Sequence, residues 1–347
     1  MTDDARLAER LAARTLELID IPSESRDEAR IAGHVAGVLR EAAVPVEDLG
    51  DACVLAGDPT ARVLLAGHLD TVPAQDNRPG RRDAERVHGL GASDMLGAVA
   101  VMLELARDGA PYRCLFFGRE ELPLAESALT PLLRRARDAL DADLVVMMEP
   151  TDNELHAGCL GNVNATWTFS GVAGHSARPW QADNAIERAA RGIAALAERE
   201  PAPHEFHGLT FVEVASVTRI AGGIAGNVIP DTAVAHLNYR YPPGWSPEEA
   251  ESRLAALVDG HGRLEVTSNA PSAPVALDQP LARSLVAHGD LAVRPKQAWT
   301  PVAEFAAAGL AAVNFGPGEP GMAHRREESV SIAALVRSYD VLARWRP

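Results

Sequence analysis

Cysteine, lysine, aromatic residues and long apolar runs are all scarce in this chain. Of 347 residues only three are cysteines, Cys53, Cys114 and Cys159. They are odd in number and never form a C-x-x-C pair, which argues against a disulfide framework or a cysteine zinc site and fits a reducing compartment. No stretch of about 18 apolar residues occurs, so no membrane-spanning helix is expected. The first twenty residues are acidic and amphipathic, with no basic segment leading into an apolar one. They do not read as a signal peptide, and a cytoplasmic location is expected. Positive charge is short as well: Lys296 is the sole lysine, and the net charge is −15. That balance argues against general electrostatic binding to nucleic acid or an anionic membrane. Repeats and low-complexity blocks are absent. The length suits two domains, and 47% hydrophobic residues supply their cores.

The segments 4–20 and 27–43 have helical apolar spacing. Short apolar runs at 61–66, 113–117 and 143–148 then alternate with helical segments at 95–107 and 128–139. This alternation predicts an α/β layer with a mostly parallel sheet. The texture changes near residue 161. "NVNATWTFSG" alternates with period two, and a βαββαβ order follows: a helix at 183–198, strands near 209–219 and 227–241, a helix opened by Ser246-Pro247, and a strand at 262–268. "SNAPSAPVALDQP" reads as a linker. The expected architecture is an α/β catalytic domain, residues 1–160 and 273–347, interrupted by a ferredoxin-like α+β domain at 161–272.

The chemistry-bearing residues sit where strands end. "AGHLDTVP" places His68 and Asp70 at the end of an apolar run, two residues apart and so on one strand face. "CLFFGREEL" ends another run with Glu120 and Glu121, and "DLVVMMEPT" ends a third with Glu149. "GLGASDMLG" carries Asp94 in a glycine-rich loop ahead of a helix, and "GMAHRREE" carries His324. The loop is not a dinucleotide motif, because the third glycine of G-x-G-x-x-G is missing and no strand directly precedes it. Carboxyl ends of parallel strands are where sites form. Two carboxylates about 4 Å apart repel by about 1 kcal/mol in water and by several times that at lower dielectric. Five of them in one crevice therefore call for raised pKa values or a cation. Two histidines among carboxylates suit zinc, with cobalt or manganese as substitutes. If Asp94 bridges, five side chains and waters fill two tetrahedral sites.

Taken together, H-x-D-T-V-P, G-x-G-x-x-D-M, E-E, E-P-T and the late A-H resemble the dinuclear-zinc amidohydrolases that include succinyl-diaminopimelate desuccinylase, acetylornithine deacetylase, and the aminoacylase and carboxypeptidase relatives. "CLGNVNATWTFSGVAGHSARPWQADNAI" and "AAVNFGPGEPGMAHRREE" are similar to the actinobacterial type of the desuccinylase. The resemblance implies that His68, Asp94 and Glu149 bind one metal ion and Asp94, Glu121 and His324 a second. It implies that Asp70 fixes the tautomer of His68 from behind. Glu120 would be the general base that takes a proton from the attacking water and delivers it to the leaving amine. The inserted domain would be a dimerisation lid, with His175 of "AGHSARP" stabilising the oxyanion in the partner subunit's site. Asn227 is expected nearby, and Arg178 and Arg240 are candidates to hold a substrate carboxylate. Thr300 begins a segment, "TPVAEF", that departs from the family pattern: Pro301 stands where Ser or Asp is usual, and Glu304 where an arginine would bind substrate. Leu96 likewise replaces a usual Lys or Arg.

The implied activity is hydrolysis of an N-acyl amino acid by a homodimer, with N-succinyl-LL-2,6-diaminopimelate as the first substrate. Glu304 makes a deacylase of another N-acyl amino acid, or a dipeptidase or carboxypeptidase, the alternative. A non-catalytic binding protein on the same scaffold would have no need of Glu120.

Overall fold

The structure, a computed structural model, describes residues 3–347. The chain divides into two compact units. One runs to Gly158 and includes Val275–Pro295 and Thr300–Pro347; the other is Cys159–Pro274 with Lys296–Trp299. Among the described residues no helix is long and apolar enough to cross a membrane.

The first unit is built on an eight-stranded sheet. Its strands lie in the order Val46–Gly50, Cys53–Gly57, Arg113–Phe117, Val63–His68, Leu144–Met147, Ala312–Asn314, Leu155–Ala157 and Val293–Pro295. Its centre is parallel: Val63–His68 pairs in parallel with Arg113–Phe117 on one side and Leu144–Met147 on the other. All six residues of Val63–His68 are buried, which is why this strand reads as an unbroken apolar run. Helices Asp3–Ile19, Ala29–Glu41, Gly97–Arg107 and Ile332–Arg344 belong to this unit. In Gly97–Arg107 the first ten residues are all buried, Glu104 included. That carboxylate is matched by Arg10, Arg14 and Arg107 at 2.8–3.1 Å. Buried charge persists when it is paired in this way.

The second unit is a five-stranded antiparallel sheet in the order Ala202–Phe206, Leu209–Gly222, Thr232–Tyr241, Gly161–Ser170, Arg263–Ala270. One face carries Val163, Ala165, Trp167, Phe169, Leu237 and Tyr239. These pack with residues of helices Ala185–Ala197 and Pro247–Leu257 in one core. The second helix starts as expected: Ser246 Oγ accepts from Glu249 N at 3.2 Å while Glu249 Oε2 accepts from Ser246 N at 2.7 Å, a reciprocal cap.

Two features were not expected. Ala202–Phe206 is a fifth strand, joined to Leu209–Gly222 by a two-residue turn in which His207 and Gly208 both have positive φ, 51° and 77°. Pro203 fits because the strand lies at the sheet edge. Lys296–Trp299 also belongs to this unit. The Gln297 side chain exchanges two hydrogen bonds with the Val212 main chain, at 2.6 and 3.1 Å, and Trp299 Nε1 donates to Pro271 O at 3.1 Å.

Candidate metal and catalytic site

Three adjacent parallel strands end side by side in the first unit. Val63–His68 delivers His68 as its last residue; Glu120 and Glu121 follow Arg113–Phe117, and Glu149 follows Leu144–Met147. Asp94 comes from the loop ahead of Gly97–Arg107, and His324 from a loop near the C-terminus. His68 Nε2 lies 3.1 Å from Asp94 Oδ1. His324 Nε2 lies 3.0 Å from Glu121 Oε1 and 3.6 Å from Asp94 Oδ2. Asp94 thus presents one carboxylate oxygen to each histidine.

Donor atoms of His68, Asp94 and Glu121 all lie within 4.8 Å of one another, as a metal ion requires. A tetrahedral ion with N and O ligands at about 2.1 Å sets those ligands about 3.4 Å apart. The separations of 3.0–3.6 Å have that size. The local charge fits too. Glu121, and then Asp94, draw a proton onto His324 and push its pKa up to about 9. Burial opposes charge on His68, yet Asp94, Glu120 and Asp70 together raise it well above the ordinary range. A field that concentrates protons on both imidazoles is one that concentrates a divalent cation in their place. Burial, then the charge of Glu149, pushes the Glu120 carboxyl up as well, against the pull of His68.

Asp70 is placed differently from the sequence expectation. The ring nitrogen Nδ1 of His68 lies 2.9 Å from the main-chain oxygen of Asp70, whose carboxylate is 3.6 Å away. A carbonyl can only accept, so Nδ1 carries a hydrogen, and Nε2 is the ring atom that faces Asp94 and would ligate a metal ion once its own proton is displaced. The Asp70 carboxylate, fully buried, instead accepts from Glu120 N at 3.0 Å, Glu121 N at 3.1 Å and Ser25 Oγ at 2.7 Å. The strand ends at His68, so the two-residue face rule stops there. The turn beside it is held from a second side: Glu28, buried, accepts from Arg119 N at 3.1 Å. Arg119 itself has φ of 58°. Three consecutive amides before and at the two glutamates therefore end on buried carboxylates. Glu28 and Ser25 were not singled out from sequence, because a side chain that binds main chain leaves no pattern among side chains.

Glu304 does not carry its carboxylate to a cation. It is buried in helix Val302–Ala307 and accepts from Ser127 Oγ at 2.8 Å and from Thr130 Oγ1. Burial raises its pKa against those two hydroxyl donors. Thr300, also buried, donates to Asn314 Oδ1 at 3.0 Å. His175, Arg178, Asn227 and Arg240 belong to the second unit. His175 is exposed, and its Nδ1 accepts from Ala177 N at 3.0 Å, so the neutral ring carries its hydrogen on Nε2. Asn227 O accepts from Ser176 N at 3.0 Å, tying the two loops together. Arg178 is exposed; Arg240 lies half-buried on the sheet face that carries Asn162, Asn164 and Asn238, its Nε donating to Asn238 at 2.9 Å.

Comparison with known proteins bears on the family and the fold. Residues 159–265 match a peptidase dimerisation domain. A Mycobacterium tuberculosis protein provisionally named succinyl-diaminopimelate desuccinylase DapE is 41% identical over 95% of this chain and 96% of its own. The succinyl-diaminopimelate desuccinylase of Corynebacterium glutamicum is 34% identical, covering 94% of each chain. An M20 family metallo-carboxypeptidase of Sulfolobus solfataricus has the same fold, with a TM-score of 0.73 at 16% identity over 99% of this chain and 98% of its own. The chain belongs to the M20 peptidase family, alongside relatives named succinyl-diaminopimelate desuccinylase.

Proposed function

We propose that this protein is a metal-dependent amidohydrolase that cleaves N-succinyl-LL-2,6-diaminopimelate to succinate and LL-2,6-diaminopimelate. The observation that carries the reading is the cluster of His68, Asp94, Glu121 and His324 with Glu120 beside it, in a chain 41% identical to a protein named for that reaction. Two divalent ions are proposed, with zinc as the native metal: His68 and Glu149 would hold one, Glu121 and His324 the other, and Asp94 both. When bound, the ions supply Lewis acidity to the amide carbonyl and increase the acidity of water.

The remaining work falls to the chain. Glu120 takes the proton of the attacking water and returns it to the nitrogen as the C–N bond breaks, so one water is consumed per bond. The Asp70 carboxylate fixes the amides of Glu120 and Glu121 and so aims the base. His68 is kept in the Nδ1–H form by the Asp70 main chain. The peptidase dimerisation match supports a homodimer, in which His175 would serve the partner's site with its Nε2–H. Arg178, Asn227 and Arg240 are proposed substrate contacts.

The bonding of Glu304 to Ser127 and Thr130 favours a second reading, hydrolysis of a different N-acyl amino acid, because no cation stands at that position to meet a succinyl carboxylate. One experiment separates the two: kcat/KM for N-succinyl-diaminopimelate against a panel of N-acetyl and other N-acyl amino acids, after chelation and after zinc or cobalt is returned. Preference for the succinyl substrate by at least tenfold supports the first reading. Preference for another acyl amino acid supports the second, and full activity after chelation removes both.

A further inference from the structure

Glu328 lies outside every role described above, yet it is among the most thoroughly engaged side chains near the site. It is buried, 2% exposed, and both carboxylate oxygens are spent on the main chain of one loop. Oε2 accepts from Gly91 N at 2.9 Å; Oε1 accepts from Ser93 N at 3.0 Å and Asp94 N at 2.9 Å. The main-chain oxygen of Glu328 also accepts from Gly89 N at 3.0 Å. Four amides between residues 89 and 94 therefore end on this one residue.

The loop is confined elsewhere too. Gly91 has φ of 75°, and a Cβ there would meet Thr71 at 2.9 Å and Leu96 at 3.0 Å, so any side chain at this position would be strained. Ser93 Oγ donates to Glu319 O at 3.0 Å. What emerges from this clamp is Asp94, with one oxygen 3.1 Å from His68 and the other 3.6 Å from His324. Glu328 follows His324 by four residues, so one short segment carries a histidine of the cluster and the anchor of the aspartate it faces.

We propose that Glu328 is a positioning residue: its carboxylate grips the Gly91–Asp94 turn so that Asp94 can divide its two oxygens between the two metal positions. The proposal rests on the reading of Asp94 as a shared ligand. Charge-assisted bonds to main-chain amides are short and directional, which suits a group that must fix a turn rather than fill space. A ligand held on a pre-set turn loses little freedom on binding, and loosening it lowers affinity without removing a ligand atom.

The test compares wild type with Glu328→Gln, which keeps the volume and one acceptor oxygen but turns a donor toward the loop amides, and with Glu328→Asp, which keeps both acceptors on a shorter arm. Cobalt affinity is read by competition with a chromophoric chelator, the cobalt electronic spectrum reports ligand geometry, and thermal unfolding of the metal-free protein reports the fold. Glu328→Gln is expected to weaken cobalt binding at least tenfold, to alter the spectrum, and to lower kcat at saturating cobalt while KM stays within about threefold; Glu328→Asp falls between. A Glu328→Gln protein with wild-type affinity and spectrum, whether or not its unfolding temperature falls, overturns the proposal and leaves Glu328 a structural residue. Should Glu328→Gln not fold, the same readouts on Glu328→Asp decide. A wild-type protein that binds no cobalt would instead overturn the metal reading itself.

Discussion

Replacing Asp70 by asparagine separates two accounts of the same residue. In one, the carboxylate holds the His68 ring; in the other, it holds the amides of Glu120 and Glu121. The structure favours the second: the ring nitrogen is 3.6 Å from the carboxylate but 2.9 Å from the Asp70 main-chain oxygen, which the substitution leaves in place. Asparagine keeps one acceptor and turns an NH2 group toward the other amide. A buried donor left facing a donor costs about 1–3 kcal/mol. At about 2 kcal/mol the unfolding temperature falls by roughly 4–8 °C in a unit of this size. The catalytic effect is larger, because a shift of Glu120 by about 1 Å costs on the order of 10²-fold in rate. The assay is kcat measured across a zinc or cobalt titration. The expected result is a deficit of about 10²-fold that persists at saturating metal. If the carboxylate instead served the His68 ring, metal affinity would fall about 10–100-fold. Excess metal restoring kcat to wild type would therefore refute the reasoning.

Three further outcomes are expected. Glu120→Gln should retain its metal, measured by elemental analysis, and lose about 10²–10⁴-fold in kcat, whereas Glu121→Gln should lose metal first. His175→Ala and Glu120→Ala proteins should each be nearly inactive and recover part of the activity after mixing and subunit exchange; proven exchange without recovery would place His175 outside the partner's site. Glu304 has its pKa raised by burial, so its carboxyl holds a proton more readily in the folded than in the unfolded chain. Its contribution to stability is full below the unfolded carboxylate pKa and is lost as pH rises through the folded value. Glu304→Gln, which keeps an acceptor for Ser127 and Thr130, should therefore raise the unfolding temperature at pH 7–8 and leave it nearly unchanged near pH 4, by calorimetry at both pH values.

What could be read from the sequence, and what could not, follows from the kind of interaction involved. His68, the Glu120–Glu121 pair and Glu149 each end an apolar run, and a charged residue that closes a buried strand is visible as a break in hydropathy. Asp94 and His324 stood out by residue type beside glycine-rich turns. The bonds of Glu28, Asp70 and Glu328 were invisible because their partners are main-chain amides, which every residue possesses. The Asp70 carboxylate stands 3.6 Å from the His68 ring, but its hydrogen bonds go to the Glu120 and Glu121 amides, partners that the period-two rule for a strand ending at His68 does not reveal. The strand Ala202–Phe206 has no clear mark in the sequence: prolines at 201 and 203 usually exclude a strand, a rule that relaxes at a sheet edge. The place of Lys296–Trp299 depends on a glutamine side chain pairing with a strand from 85 residues away, which no local pattern encodes.

The three carboxylates that grip the loops, Glu28, Asp70 and Glu328, lie outside the proposed ligand set. The frame of the centre is consequently assembled from protein alone, and the order of events in biogenesis follows from that. The chain is expected to fold without the ions and to survive their removal, which thermal unfolding of the chelated protein would check. Activity should therefore track the supply of the activating divalent metal reversibly. A starved population would remain as an intact reserve, ready to be switched on when supply returns, rather than being cleared and made anew.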